Sequence, residues 1–258
     1  MASPPPIDEA VWRQTLARNR AAVLERIAAA ARRAGRDPAA VRLLAVTKAL
    51  GTEAVAALVE MGQQDIGESR LEALERKRAA LAARGLAPRW HMVGHVQRRK
   101  LPRLLACAPA LVHSLDSMRL LEALERRLAA AAGASAHPPP PLAVLLEVNV
   151  SGETTKYGFA PEQLQPALAR LAGSAYLRAC GLMTMAPLVA DPEQTRPVFA
   201  ALRALGERLR QQHPGLVELS MGMSNDFEVA VEEGATIVRV GTALARGLPA
   251  AVLADTGG

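Results

Sequence analysis

From residue 42 onward the chain alternates between short, mostly apolar runs and longer segments in which Ala, Leu, Glu and Arg recur at helical spacing. The apolar runs are RLLAVT (42–47), QQDIG (63–67), WHMVG (90–94), LVHSL (111–115), LAVLLEVNV (142–150), LRACGLMTM (177–185), LVELSM (216–221) and TIVRVG (236–241). Runs of this kind, each followed by a helix, are the pattern of parallel strands covered on both faces. Eight such units predict an α/β fold, a single closed (β/α)8 TIM barrel. An open doubly wound sheet would use fewer strands and usually a GxGxxG turn after the first, and no such turn is present. Ahead of the first strand, Val11, Leu16, Val23 and Ile27 mark the apolar stripe of an extra N-terminal helix, capped by Asp8, running to about Arg33 and stopped at Gly35. The barrel domain is placed at residues 8–250, with a disordered tip at 1–7 and a flexible tail at 251–258. HPPPP (137–141) reads as a stiff surface connector before the fifth strand.

With 258 residues, half of them hydrophobic, the chain can bury one large core. Its two cysteines, Cys107 and Cys180, lie far apart among apolar neighbours, which suggests neither a disulfide framework nor a zinc site and fits a reducing compartment. The opening MASPPPIDEAVWRQ lacks a secretory pattern, and no run of about 18 apolar residues follows, so a cytoplasmic protein without a membrane segment is expected. The net charge of +6 is spread along helices, aromatic residues make up only 3%, and QRRK (97–100) is the one tight basic cluster. A solvated arginine-rich surface accounts for this charge better than a nucleic-acid site does.

Lysine usage is more telling. There are four, Lys48, Lys77, Lys100 and Lys156, against 27 arginines, and only lysine can form an imine. Lys48 follows the apolar strand LLAVT, where burial would make a charged ammonium costly and favour a nucleophilic amine. A rim lysine paired with Glu68 or Asp116 is the other reading of that position. Lys77 and Lys100 fall in charged helical contexts and are expected at the surface; Lys156, on a loop, is the rival to Lys48.

In barrels of this type the active face is built at the C-terminal ends of the strands, with phosphate often held after strands seven and eight. Lys48, Glu68, Ser69, His95, Ser114, Asp116, Asn149, Met183 and Thr184 all fall at such ends. SMGMSND (220–226) and RVGT (239–242) each place a glycine and a hydroxyl just before a helix, and backbone N–H groups at helix starts bind phosphate. Arg239, inside the last apolar strand, needs an acceptor or a buried acid as partner.

LLAVTK, IGES, WHMVGHVQRRK, HSLDS, EVNVSGETTKYGF, GLMTMAP and LSMGMSNDFEVAVEEGATIVRVGTAL, taken in order from about Asp8 to Arg246, resemble the pyridoxal phosphate homeostasis proteins. These are barrels related to the N-terminal domain of alanine racemase. The resemblance implies pyridoxal 5'-phosphate (PLP) held as a Schiff base on Lys48, its phosphate on Ser224, Thr242 and the adjoining backbone, and Arg239 beside the cofactor. The candidate cofactor set is Lys48, Ser69, Asn149, Met183 and Ser220, together with Gly222, Ser224, Arg239, Gly241 and Thr242. One departure is Ser69, a short hydroxyl where the family usually carries an asparagine.

The resemblance further implies a carrier and regulator of free PLP, with no turnover of its own and with apo PLP-dependent enzymes as acceptors. The chain is expected to be a monomer. An amino-acid racemase is the alternative, since related barrels do that chemistry. It needs a second acid/base on the opposite face of the substrate, whereas Tyr157 and Tyr176 fall on a loop and before strand six, and a cationic Arg239 would oppose protonation of the pyridine ring. A purely structural barrel would leave Lys48 and both phosphate loops as coincidences.

Overall fold

Each apolar run forms a strand, and each strand is followed by a helix. The computed structural model describes residues 8–133, 140–150, 152 and 157–253. After α1 (Glu9–Arg33) come β1 (Arg42–Val46), α2 (Thr52–Glu60), β2 (Asp65–Glu68), α3 (Leu71–Ala82), β3 (Arg89–Met92), α4 (Leu101–Ala106), β4 (Leu111–Leu115) and α5 (Met118–Gly133). The second half continues with β5 (Leu142–Glu147), α6 (Leu164–Ala172), β6 (Leu177–Met183), α7 (Arg196–Arg210), β7 (Glu218–Ser220), α8 (Phe227–Glu232), β8 (Ile237–Val240) and α9 (Thr242–Ala245). All strands pair in parallel and in chain order, and β8 closes on β1 through Arg42↔Ile237 to Ala45↔Val240. The result is the predicted (β/α)8 barrel with one added helix.

Two apolar layers hold it. The larger lies between the strands and the helices, and a smaller one inside the barrel joins Leu44, Leu111, Leu145, Cys180, Met183 and Ile237. Cys107 and Cys180 are both free and buried.

The N-terminal helix begins where Asp8 accepts the N–H of Ala10 at 2.9 Å, a cap worth about 1 kcal/mol. Its buried stripe is Trp12, Leu16, Val23, Ile27, Ala30 and Ala31, while Val11 is 59% exposed. At about 100° per residue, Trp12 rather than Val11 lies in register with Leu16, Val23 and Ile27, which corrects the stripe expected from sequence. The helix packs against α8 and α9. Asn19 ties it to the end of α9 by donating to Leu244 O and Arg246 O at 2.9 and 2.7 Å, and Arg36 reaches Val231 O and Ala235 O. The helix therefore braces the β8 corner of the mouth from outside.

Packing continues beyond Ala250: Val252 is buried and Leu253 forms an antiparallel bridge with Leu50. These contacts carry the described packing to Leu253. The tip at 1–7, most of the HPPPP connector, Lys156 and residues 254–258 lie outside the described residues. Among the described residues no helix is long and apolar enough to cross a membrane.

Candidate functional site

Closure of β8 on β1 sets the site, because it places the end of β1 beside the ends of β8 and β7. Lys48 lies two residues past β1. Its preceding residue, Thr47, is fixed from several sides: the Thr47 N–H donates to Gly67 O at 2.9 Å, its hydroxyl donates to Glu68 Oε1 at 2.6 Å, and its carbonyl accepts Lys77 Nζ at 2.7 Å. The backbone is held while the Lys48 side chain is exposed. The burial expected for Lys48 is thus absent, and its amine is open to solvent and to an incoming ligand.

The buried lysine is Lys77, contrary to the surface position read from its charged neighbours. Its side chain is 1% exposed, and Nζ meets Glu68 Oε1 at 2.6 Å. Burial lowers the Lys77 pKa, and Glu68 works against that shift. Glu68 is fully buried, and its second oxygen, Oε2, has no hydrogen-bond partner among the described residues. Glu68 is therefore committed to Lys77, which removes it as the partner of a rim Lys48.

Lys48 opens onto a cavity of about 850 Å³ whose wall includes Glu68, Ser69, Lys77, His95 and Lys100. Lys100 is half-buried and paired with Glu72 at 2.8 Å. His95 Nδ1 lies 2.9 Å from Asp116 Oδ2, and the ring stacks on Tyr157 with centroids 4.5 Å apart. The β7 and β8 loops lie on the other side of β1.

There, Ser224 Oγ accepts the N–H groups of Gly241 and Ala243 at 3.2 and 3.3 Å. Two backbone donors at the start of α9 thus converge on one oxygen, the arrangement that an anion's oxygen can occupy. Gly241 is required here because a Cβ would stand 2.9 Å from Val46 O. Gly222 turns the β7 loop with φ +88, and a Cβ there would meet Ala230 Cβ at 2.5 Å. Thr242, the first residue of α9, is exposed beside them.

Arg239 is 5% exposed and donates to Ser220 O, Ser220 Oγ and Thr184 O at 2.7, 2.8 and 2.9 Å. Burial pushes its pKa down to about 10, opposed by the charges of Glu147 and Asp226, so it remains a cation. Those acids shift in the other direction: burial and the nearby Asp116 push Glu147 up to about 7, with Arg239 opposing, and burial raises Asp226. Arg239 thus takes neutral oxygens as hydrogen-bond partners and sees the acids only at longer range.

Of the other sequence candidates, Ser220 is fully buried within the barrel and Met183 joins the inner apolar cluster. Asn149 is half-buried just after β5, its N–H donating to Phe159 O at 3.0 Å. Ser69 sits on the cavity wall. The structure therefore brings Lys48 and Ser69 together on one side, and Ser220, Ser224, Arg239 and Gly241 together on the other.

Among the described residues no group of His, Cys, Asp or Glu is arranged to hold a metal ion. Sequence reading placed Lys77 at the surface and passed over Glu147 and the strand histidines His91 and His113. A polar side chain at alternating positions within an apolar strand was the available signal for the last two.

The family model for the alanine racemase N-terminal domain matches residues 19–249. The chain is 43% identical over 231 residues to the pyridoxal phosphate homeostasis protein of Pseudomonas aeruginosa, covering 89% of this chain and 94% of that one. The chain belongs to the pyridoxal phosphate homeostasis protein family. Another member, from Aquifex aeolicus, is 39% identical over 223 residues, covering 86% of this chain and 93% of its own. Among solved structures, PipY of Synechococcus elongatus, with PLP bound, aligns with a TM-score of 0.71 at 32% identity, covering 86% of this chain and 99% of that chain. For this family member, the amine lies just past β1, while the paired N–H groups follow the adjacent β8 and the buried cation lies on it.

Proposed function

We propose that this protein binds PLP in the cytoplasm as a monomer and hands it on to apo PLP-dependent enzymes, with Lys48 as the covalent attachment point. The observation that carries this reading is the adjacency of an exposed lysine amine at the end of β1 to two convergent backbone N–H groups at the end of β8. The residues present fit the cofactor's two functional ends. When bound, PLP supplies an aldehyde to which a lysine amine can add, and a phosphate dianion. The N–H groups of Gly241 and Ala243, with the hydroxyls of Ser224 and Thr242, receive the phosphate; the missing Cβ at Gly241 lets the loop lie against Val46 O. The name carried by its relatives and a PLP-bound structural neighbour support the same reading.

Two features bear on a carrier role. A guanidinium held by Ser220 and Thr184 is a permanent cation, and beside the cofactor's pyridine it opposes ring protonation and weakens the ring as an electron sink without abolishing it. The exposed Lys48 side chain leaves the attachment point accessible to a competing amine, as release requires.

The experiment is a transfer assay. The PLP-loaded protein, desalted and mixed with an apo aminotransferase, is expected to restore that enzyme's activity while producing no racemisation of L-alanine by itself. Racemisation on the order of one turnover per second or faster would overturn the carrier reading.

A further inference from the structure

A line of hydrogen bonds crosses the barrel interior from its floor to Arg239. Asp65 and Arg89 open β2 and β3 at the floor and form two bonds to each other, both 2.7 Å. Asp65 Oδ1 then meets His91 Nε2 at 3.0 Å, His91 Nδ1 meets His113 Nε2 at 3.0 Å, and His113 Nδ1 meets Ser220 Oγ at 2.9 Å. Arg239 Nη1 closes the line on the same Ser220 oxygen at 2.8 Å. His113 and Ser220 are fully buried, and His91, Arg239 and Asp65 are 2, 5 and 6% exposed.

The chemistry of the two ends fixes the direction of every bond. A guanidinium can only donate, so Ser220 Oγ accepts from Arg239 and its own hydrogen is left for His113 Nδ1. Burial, with His91 and Arg239 nearby, holds the His113 pKa well below the usual range. The ring is neutral and its single hydrogen lies on Nε2, donated to His91 Nδ1. His91 in turn donates from Nε2 to Asp65. Burial works against the Asp65 carboxylate, but the bonds from His91 and Arg89 outweigh it and hold the carboxyl pKa well below the ordinary range. The opposite order would leave the Ser220 hydroxyl hydrogen without an acceptor in a fully buried place, which costs about 1–3 kcal/mol. Bonds aligned head to tail in this way polarise one another.

We propose that Asp65, His91 and His113 are positioning residues for the cofactor site: through the Ser220 hydroxyl they fix the Arg239 guanidinium, so that the cation at the mouth is set from the barrel floor. This rests on the reading of Arg239 as a cofactor-facing residue.

The test pairs two measurements. In the protein without PLP, nitrogen-15 NMR of the histidine rings is expected to find the hydrogens of His91 and His113 on Nε2; a hydrogen on Nδ1 of either ring would overturn the ordered line. The second compares Asp65→Asn, at the far end of the line, with the unchanged protein in PLP affinity and in the absorbance of the bound cofactor. Asp65→Asn is expected to weaken PLP roughly three- to tenfold and to shift the band, with Asp65→Glu restoring both. His113→Asn should act in the same sense, and Asp65→Asn keeps the test available if that variant does not fold. Unchanged affinity and band in a folded Asp65→Asn protein would overturn the proposal, whereas failure of the unchanged protein to bind PLP at all would overturn the cofactor reading beneath it.

Discussion

Lys77 Nζ lies 2.6 Å from Glu68 Oε1 with both side chains out of solvent, and the same ammonium donates to the carbonyl of Thr47, the residue before Lys48. One buried ion pair therefore joins the ends of β1 and β2 directly behind the attachment point. Removing one partner of such a pair leaves an uncompensated charge, and the expected cost for Lys77→Met is about 3–5 kcal/mol. Adding Glu68→Gln is expected to recover part of it. Urea denaturation midpoints of the single and double variants check this; a loss below about 1 kcal/mol for Lys77→Met would mean that the Lys77–Glu68 contact contributes little to the fold.

Glu147 gives a pH dependence. Its carboxyl is pushed up from 4.5 to about 7 by burial and Asp116, against Arg239. Between those values the folded state keeps a proton that the unfolded chain has released, so stability falls as pH rises through this window. The span corresponds to about 3 kcal/mol. Glu147→Gln is expected to flatten the dependence between pH 5 and 8 and to raise stability at pH 8. Melting temperatures of the unliganded proteins across that range decide it; identical pH profiles would show that Glu147 ionises near its ordinary value.

The phosphate loops can be separated from the amine. Ser224→Ala with Thr242→Ala is expected to weaken PLP by about a hundredfold or more, because each bond to a charged oxygen is worth roughly 1.5–3 kcal/mol. Unphosphorylated pyridoxal should lose much less. Fluorescence titration with both ligands is the measurement. An equal loss for both would mean general damage at the mouth, and no loss for either would place the phosphate elsewhere, with the QRRK cluster the next candidate.

The barrel was readable from sequence because each parallel strand is covered on both faces and so appears as an unbroken apolar run. The loops were readable because glycine and hydroxyl residues precede α8 and α9, as helix starts require. What escaped was a matter of three-dimensional direction. Lys77 sits among Glu75, Arg76 and Arg78, which face outward, while its own position on α3 aligns with the buried Leu74 and Leu81 and sends its side chain beneath the mouth. Local charge hid that periodicity. Lys48 misled in the opposite way: an apolar strand precedes it, yet the strand ends at Val46 and the side chain emerges into solvent. His91 and His113 lie in separate strands 22 residues apart, and the parallel pairing of β3 with β4 is what brings them together.

Attachment of the cofactor to Lys48 can be read from a peptide map. The protein is saturated with PLP, reduced with borohydride, digested and mapped by mass spectrometry, beside a Lys48→Ala variant treated identically. The phosphopyridoxyl mass is expected on the peptide containing Lys48, and the reducible visible band is expected to be lost in Lys48→Ala, with the circular dichroism spectrum and melting temperature essentially unchanged because the side chain is exposed. A reducible band at full occupancy in Lys48→Ala, with the added mass on Lys156 or another lysine, would contradict attachment at Lys48.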